Sequence, residues 1–271
     1  MPETPVQKRI TLRDVARMKR EGQKLVVVTA YDVLFARVVD SAGVDIVLVG
    51  DSVGNVVAGF DSTLPVKLEH MIYHGAAVRR GIQRALLVVD MPFLSYQASV
   101  ERAILNCGRV LQETGADAVK VEGGSPEMVT TVAALTRTGI PVMAHLGFTP
   151  QSVRSLGMRI QGREHNDADR ITEGAIALEG AGAFAIVLEL MPTELAKRIT
   201  EAVSIPTIGI GAGPHCDGQV LVLPDLLGLN DGFAPKFLKK YADVAGVSRD
   251  AVAKFGAEVR SGEYPDADHS N

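Results

Sequence analysis

Acidic side chains stand at or near the ends of four short apolar segments of this sequence. The segments are DIVLVGD (45–51), ALLVVD (85–90), AVKVE (118–122) and FAIVLEL (184–190), and the acids are Asp51, Asp90, Glu122 and Glu189. The third segment also carries a cation, Lys120, inside its apolar run. Burying a charge without a partner is strongly unfavourable. These side chains must therefore pair with one another or with something that the protein binds.

The segments that would position these residues are strands separated by helices. Each apolar run is short, continuous and rich in Val, Ile or Leu, which is typical of parallel strands covered on both faces. The eight predicted strands are 24–30, 45–51, 85–90, 118–122, 141–147, 184–190, 206–213 and 219–223. Predicted helices lie between them at 32–42, 68–80, 99–113, 169–179 and 192–202. About eight strand–helix units predict an α/β fold, a closed (β/α)8 TIM barrel, with an open doubly wound sheet as the alternative.

A single barrel domain is expected over residues 1–271, since no linker or low-complexity tract interrupts the chain. A helical lead-in at about 10–22 and a C-terminal helix at about 249–261 would flank the barrel. Two loops, 51–65 and 147–166, are longer than is usual between the strands and helices of such a fold.

The composition excludes several classes of protein. A net charge of −4 over 271 residues offers no basic surface for nucleic acid or for an anionic membrane. No apolar run approaches the roughly 20 residues of a membrane-spanning helix, and the N-terminus lacks the apolar core of a signal peptide. The two cysteines, Cys107 and Cys216, have no metal-type spacing, which favours free thiols in a reducing compartment. We expect a cytoplasmic protein.

The strand-end acids predict a metal site if the barrel closes. The carboxyl ends of the strands in a (β/α)8 barrel surround one cavity, where active sites lie. Carboxylates that converge there repel one another unless a cation offsets their charge. A few hard oxygen ligands, with room for substrate and water, suit Mg²⁺. Glu122 would then face the metal, directly or through water, and Lys120 would face an anionic substrate.

Simpler structural roles remain open for most of these residues. Asp51 and Asp90 could cap the turns that follow their strands. Lys120 and Glu122 are two residues apart, so they share one face of a strand and could form a structural ion pair. Glu189 lies in an apolar setting, IVLELMP, as an isolated carboxylate, which suits a general base or acid.

Two further polar residues join the candidates. His145 ends the fifth predicted strand and could be a ligand, a substrate contact or a structural histidine. Ser52 has no His–Asp pattern nearby to make it a nucleophile, so its hydroxyl is expected to hold a carboxylate ligand.

Ten motifs spread along the chain match a known pattern. They are TAYD (29–32), VGDSVGN (49–55), DSTLPV (61–66), YHGAAVRRG (73–81), VKVEGG (119–124), HLGFTPQSV (145–153), IALEGAGA (176–183), ELAKRIT (194–200), IGIGAG (208–213) and DGQVLV (217–222). In these motifs the sequence resembles the ketopantoate hydroxymethyltransferase family from about residue 10 to residue 265. DSTLPV and VKVEGG together are far more specific than any short glycine motif.

The resemblance implies roles for individual residues. A metal would lie at Asp51, Asp90 and Glu122, the last often through water, and Glu189 would be the catalytic base. The residues implied in substrate binding are Asp51, Ser52, Asp90, Lys120 and His145, with His145 as a substrate or folate contact.

The resemblance also implies a reaction and an assembly. A hydroxymethyl group would pass from 5,10-methylenetetrahydrofolate to 3-methyl-2-oxobutanoate through an enolate stabilised by Mg²⁺. The products would be 2-dehydropantoate and tetrahydrofolate, in pantothenate biosynthesis. Family members assemble as decamers of two stacked pentameric rings, so a homodecamer is implied here.

Three other hypotheses remain. The first is another Mg²⁺-dependent oxoacid lyase or aldolase of the same barrel group, which would need no folate. The second makes Lys120 a Schiff-base nucleophile. The third is a catalytically inactive barrel that serves as a binding or scaffold protein.

Overall fold

The structure is a computed structural model that describes residues 8–157 and 159–270. Its central feature is a closed parallel barrel whose strands pair in chain order, with β8 also paired to β1. The strands are β1 (Leu25–Thr29), β2 (Ile46–Val49), β3 (Leu86–Asp90), β4 (Ala118–Glu122), β5 (Val142–Gly147), β6 (Ala185–Glu189), β7 (Thr207–Ile210) and β8 (Gly218–Leu221). The predicted (β/α)8 barrel is confirmed. The pairing of β8 with β1 excludes an open sheet.

Helices connect the strands on the outside of the barrel. They are α1 (Leu12–Arg20), α2 (Val33–Ser41), α3 (Val53–Val56), α4 (Leu68–Arg79), α5 (Val100–Thr114), α6 (Pro126–Arg137), α7 (Val153–Leu156), α8 (His165–Gly180), α9 (Thr193–Ala202), α10 (Leu223–Leu226) and α11 (Val244–Ser261), with 3-10 turns at Pro150–Ser152 and Ala267–His269. Both loops expected to be long contain a short helix, α3 in the first and α7 in the second.

One full helix, α6, was absent from the predicted set although its start is well marked. The hydroxyl of Ser125 accepts a hydrogen bond from the N–H of Met128, and Pro126 occupies the first helical turn. Both are ordinary helix-start signals. The Gly123-Gly124 turn just before them made this stretch resemble a loop.

The barrel interior is filled by alternate residues of every strand, as the period of two requires. These inward-facing side chains form one apolar cluster: Leu25, Val27, Ile46, Leu48, Leu86, Val88, Ala118, Met143, Ala185, Val187, Ile208 and Val220. Ile10 and Val15, from the segment around α1, join the same cluster and are also buried. The helical lead-in thus contributes to the core of the barrel.

Acidic residues at the amino ends of the strands are structural. Asp45, Asp117 and Asp217 each accept a hydrogen bond from the backbone N–H of a residue on a neighbouring strand. The donors are Val26, Leu87 and Thr207, at 3.0, 2.9 and 2.9 Å respectively. These aspartates join adjacent strands, which agrees with a stabilising role for this end of a barrel.

By their internal contacts, the residues divide into two compact units, the second beginning at Leu223. The first unit contains the complete barrel, and the second contains α10 and α11. Helix α11 spans Val244–Ser261, five residues longer at its start than the predicted 249–261. Asp243 caps it, since its side chain accepts a hydrogen bond from the N–H of Gly246. The single-domain organisation of the whole chain stays a prediction.

Among the acidic residues outside the barrel mouth, we expect substitution of Asp40 to lower the stability of the fold the most. Its buried carboxylate accepts hydrogen bonds from the N–H groups of Gln83, Arg84 and Ala85, which lead into β3. Asp40→Ala should lower the free energy of unfolding by about 2 to 3 kcal/mol, because three backbone donors, including the buried N–H of Ala85, lose their acceptor. Urea denaturation checks this, with the exposed Glu201→Ala as a control that changes stability by less than about 0.5 kcal/mol. An equal effect of both substitutions would contradict it.

Candidate active site

The polar candidates continue the inward-facing rows of the barrel core toward its carboxyl end. Leu86 and Val88 are followed two residues later by Asp90, and Ala118 by Lys120 and then Glu122. In the same way Met143 precedes His145 on β5, and Val187 precedes Glu189 on β6. Because alternate residues share one face, these side chains form the top of the interior. Asp51 lies two residues beyond the end of β2.

Lys120 and Asp90 form a buried ion pair across two adjacent strands. The two residues are in register between β3 and β4, and Lys120 Nζ lies 3.0 Å from Asp90 Oδ1. The other oxygen of the carboxylate, Oδ2, accepts a hydrogen bond of 3.0 Å from the backbone N–H of Asp51. All three residues are at most 5% exposed. The ends of β2, β3 and β4 are thereby joined by charge-assisted contacts.

His145 connects the remaining charged groups. It is in register with Glu122, and its Nδ1 lies 3.5 Å from Glu122 Oε1 and 3.3 Å from Lys120 Nζ. Its Nε2 lies 3.2 Å from Oε2 of Glu189. Glu189 therefore has a charged neighbour, and the expectation of an isolated carboxylate is wrong. One imidazole ring links the acid of β4 to the acid of β6.

Burial and neighbouring charges shift the pKa values of several residues in this group. Burial, together with the charges of Asp90 and Glu122, raises the pKa of Asp51 to about 7. Burial also raises the pKa of Asp90, although Lys120 opposes that effect. For Lys120 burial acts against the charged form, but Asp90, Glu122 and Asp51 outweigh it and raise its pKa. Lys120 is thus a stable cation beside two carboxylates, Asp51 and Asp90, whose ionisation is opposed by burial.

His145 and Glu122 are coupled in the opposite sense. Burial and Lys120 disfavour a charged His145, yet contacts with Glu122 and Glu189 raise its pKa to about 9. Burial alone would raise the pKa of Glu122, but His145 and Lys120 lower it. The histidine therefore behaves as a second cation of the site at neutral pH.

A glutamine that the sequence reasoning missed connects two of the acids. Gln151, in the 3-10 turn after β5, donates from Nε2 to Asp51 Oδ2 at 3.0 Å. Its backbone N–H donates to Glu122 Oε2 at 3.1 Å. The buried Tyr96 donates to Gln151 Oε1 and accepts from the N–H of Glu122. Gln151 lies in the quoted motif HLGFTPQSV, but no spacing rule shows that this loop reaches the site.

Ser52 makes a different contact from the one expected. Its Oγ shares a hydrogen bond of 2.8 Å with the hydroxyl of Tyr31, rather than holding a carboxylate. The neighbouring Gly50 explains how the loop fits: an added Cβ would lie 2.6 Å from Ser52 Oγ and 3.7 Å from Asp90 Oδ2. A side chain at position 50 would therefore displace Ser52 and fill the space beside Asp90.

The three predicted metal ligands lie in one network but not in a preformed metal centre. Gln151 donates hydrogen bonds to both Asp51 and Glu122, and the backbone N–H of Asp51 donates a hydrogen bond to the carboxylate of Asp90. Within residues 8–157 and 159–270, however, no three His, Cys, Asp or Glu side chains converge closely enough to hold an ion by themselves. Asp90 Oδ1 and Glu122 Oε1 are buried and face Lys120 Nζ at 3.0 Å and His145 Nδ1 at 3.5 Å, but a carboxylate oxygen has two lone pairs, so each can accept a further ligand. Hard oxygens with spare capacity fit a divalent ion that also binds substrate or water.

Sequence comparisons identify the family. A protein-family model described as "Ketopantoate hydroxymethyltransferase" matches residues 9–267. The chain belongs to the ketopantoate hydroxymethyltransferase family. It is 54% identical over 266 residues to a protein from Pelobacter propionicus, covering 98% of both chains, and 53% identical over 263 residues to one from Moorella thermoacetica, covering 97% of both. Both relatives are named 3-methyl-2-oxobutanoate hydroxymethyltransferase.

Solved structures of distant proteins share the fold of this ketopantoate hydroxymethyltransferase family member. A phosphonopyruvate hydrolase in complex with oxalate and Mg²⁺ aligns with a TM-score of 0.62 at 13% identity, over 96% of this chain and 93% of that one. A 2,3-dimethylmalate lyase aligns with a TM-score of 0.55 at 15% identity, over 94% and 88%. At such identities the likeness shows the fold alone. Among the described residues, no helix is both long and apolar enough to cross a bilayer.

Removing only the cation of the Lys120–Asp90 ion pair should destabilise the protein more than removing both charges. Lys120→Met is expected to lower the free energy of unfolding by about 3 to 5 kcal/mol in buffer with EDTA, because it leaves buried carboxylates uncompensated. The free energy of unfolding should fall less in the double variant Lys120→Met with Asp90→Asn than in Lys120→Met alone, since one of the uncompensated carboxylates is then absent. Thermal denaturation of both variants checks this. A double variant that is less stable than Lys120→Met would contradict it.

Proposed function

We propose that this chain transfers a hydroxymethyl group from 5,10-methylenetetrahydrofolate to 3-methyl-2-oxobutanoate. The products are 2-dehydropantoate and tetrahydrofolate, and water supplies the hydroxyl oxygen. The observation that carries the proposal is the buried group of Lys120, His145 and four acids at the mouth of the barrel. The names of relatives more than 50% identical over nearly the whole chain support the same reaction.

Mg²⁺ fits the acidic side of this group. Asp51 and Asp90 would be direct ligands, and Glu122 would bind the ion directly or through water. Asp90 Oδ1 and Glu122 Oε1, which face Lys120 and His145, each have a second lone pair that provides ligand capacity. The absence of a side chain at Gly50 leaves space next to Asp90. When bound, the ion supplies Lewis acidity toward the 2-oxo group and carboxylate of an oxoacid.

Glu189 carries out the proton transfer, and Lys120 stabilises the charge that results. Glu189 takes the C3 proton of the oxoacid, because its carboxylate lies at the strand end and its side chain is still 17% exposed toward the mouth. Lys120 remains protonated and stabilises negative charge as it develops on the substrate oxygens. Water cleaves the two carbon–nitrogen bonds of the folate methylene group, which gives tetrahydrofolate and a one-carbon unit at the oxidation level of formaldehyde. The carbanionic C3 then attacks this carbonyl carbon, and its oxygen takes up the proton that Glu189 removed and becomes the hydroxyl group.

His145 holds the base in place and contacts the substrate side of the site. Its Nε2 is 3.2 Å from Glu189 Oε2, so the imidazole orients the carboxylate that removes the proton. Ser52, held by Tyr31, borders the same space beside Asp90 and is a substrate contact.

Two alternative enzyme functions are less well supported. A Schiff base at Lys120 requires a neutral amine, whereas the Asp90 carboxylate 3.0 Å away keeps this amine protonated. An Mg²⁺-dependent oxoacid lyase or aldolase could use the same acids. The lyase with this fold is only 15% identical to the chain, however, and the named hydroxymethyltransferases are above 50%.

We also propose a cytoplasmic homodecamer. Helix α11 has no buried residue in the single chain, and its apolar Val247, Val252 and Phe255 are 71%, 69% and 53% exposed. Contact with another copy would remove this apolar surface from water. Light scattering should give the mass of a decamer, and Phe255→Asp should lower it. A monomeric mass for the unmodified protein would contradict the assembly.

The reaction is tested with the purified protein, 3-methyl-2-oxobutanoate and 5,10-methylenetetrahydrofolate. Tetrahydrofolate should form only when the oxoacid is present, stop in EDTA and resume when Mg²⁺ is added. Cleavage of an oxoacid without folate would support the lyase instead.

Glu189→Gln tests the assignment of the base. It should slow deuterium exchange at C3 of the oxoacid by about 10²- to 10⁴-fold, because the amide cannot accept the proton. Binding of Mg²⁺ should stay within about twofold, since Glu189 is not one of the proposed ligands. NMR of the oxoacid in D2O measures the exchange, and Glu194→Gln, an exposed acid at the start of α9, serves as the control. Near-normal exchange in Glu189→Gln would show that another group is the base.

A further inference from the structure

Gln151 is the most extensively bonded neutral side chain at the mouth of the barrel. Its amide Nε2 donates to Asp51 Oδ2 at 3.0 Å and to the carbonyl of Met91 at 2.8 Å. Its Oε1 accepts from the hydroxyl of Tyr96 at 2.8 Å and from Gln97 Nε2 at 2.8 Å. Its backbone N–H donates to Glu122, so one residue of the loop after β5 contacts the last residue of β4 and groups that follow β2 and β3.

The network determines which way the amide points. Reversing oxygen and nitrogen would place Oε1 against the Asp51 carboxylate and the Met91 carbonyl, where both contacts would be repulsive. It would also turn an NH₂ group toward Tyr96, whose hydroxyl could no longer donate to it. Tyr96 is itself oriented, because its oxygen accepts from the N–H of Glu122. The orientation of the Gln151 donor is therefore set by side chains that are almost fully buried.

The neutrality of this donor has a consequence for charge. A lysine or arginine at position 151 would hold Asp51 more strongly, but it would add a positive charge and repel a divalent cation. The side-chain amide of Gln151 satisfies one oxygen of Asp51, its backbone N–H satisfies one oxygen of Glu122, and neither donor adds a charge to the site. The other oxygens of this group, Glu122 Oε1 and Asp90 Oδ1, face His145 and Lys120, and each keeps a second lone pair for the ion.

We propose that Gln151 is a positioning residue that holds Asp51 and Glu122 in the arrangement that receives the divalent cation, and that Tyr96 orients its amide. This inference rests on the proposed function, because it presumes a cation at these acids. Gln151 does not touch the reacting atoms. It acts by reducing the rearrangement of like charges that binding of the ion would otherwise require.

The direct test measures binding of Mn²⁺ to metal-free protein by electron paramagnetic resonance and of Mg²⁺ by calorimetry. Gln151→Met, which keeps the length of the side chain but removes its hydrogen bonds, should weaken both affinities by about 10- to 100-fold. Gln161→Met is the matched control. This glutamine is also buried in the loop after β5, but its side chain is hydrogen-bonded to the carbonyl of Arg159. Its metal affinity should stay within about twofold of the unmodified protein.

A second readout separates positioning from simple structural support. Saturating Mg²⁺ should restore kcat of Gln151→Met to within a few fold, while the Mg²⁺ concentration for half-maximal rate rises with the dissociation constant. Tyr96→Phe should weaken binding in the same direction but less, and it decides the matter if Gln151→Met does not fold. Folded variants that bind the ion within about twofold of the unmodified protein would overturn the role of Gln151. An unmodified protein that binds neither ion would overturn the metal site of the proposed function, and this inference with it.

Discussion

The site depends on a balance of buried charge at the carboxyl end of the barrel. Lys120 and a protonated His145 lie among Asp51, Asp90, Glu122 and Glu189. The two cations do not neutralise the four acids, and burial, together with the neighbouring acids, raises the pKa of Asp51 and Asp90. A divalent ion would supply the missing positive charge. The excess of negative charge that destabilises the metal-free site would thus favour binding of the ion.

The two ends of the barrel use the same residue type for different purposes. At the amino end Asp45, Asp117 and Asp217 accept backbone N–H groups of adjacent strands and hold the barrel together. At the carboxyl end Asp90 and Glu122 are buried among other titratable side chains, with Lys120 Nζ 3.0 Å from Asp90 Oδ1 and His145 Nδ1 3.5 Å from Glu122 Oε1. This concentration of buried titratable groups at one end of the barrel marks the candidate site.

Much of the barrel could be predicted because its signals are local. Each buried strand is a continuous apolar run, so β4 was predicted at its observed bounds and the other strands within a few residues. The positions of Asp90, Glu122 and Glu189 at strand ends then followed from the geometry of parallel barrels. Helix α6 was missed although Ser125 and Pro126 mark its start, because the preceding glycines suggested a loop.

The contacts within the site could not be predicted in the same way. Gln151 reaches Asp51 across 100 positions of sequence, through a turn whose path depends on the packing around Tyr96. Likewise, Glu189 was expected to be isolated, because nothing in its own segment indicates that His145 lies beside it. Strand patterns predict where an acid stands along the barrel, whereas its partners depend on loops that no local pattern describes.

The most direct test of the central claim, a divalent ion held by acids from separate strands, is a crystal structure with Mn²⁺ and its anomalous signal. We expect a single strong anomalous peak within ligand distance of Asp51 and Asp90, with Glu122 on the same side, directly or through one water. A map with no peak among these carboxylates at saturating Mn²⁺, or with the peak bound elsewhere in the barrel, would contradict it.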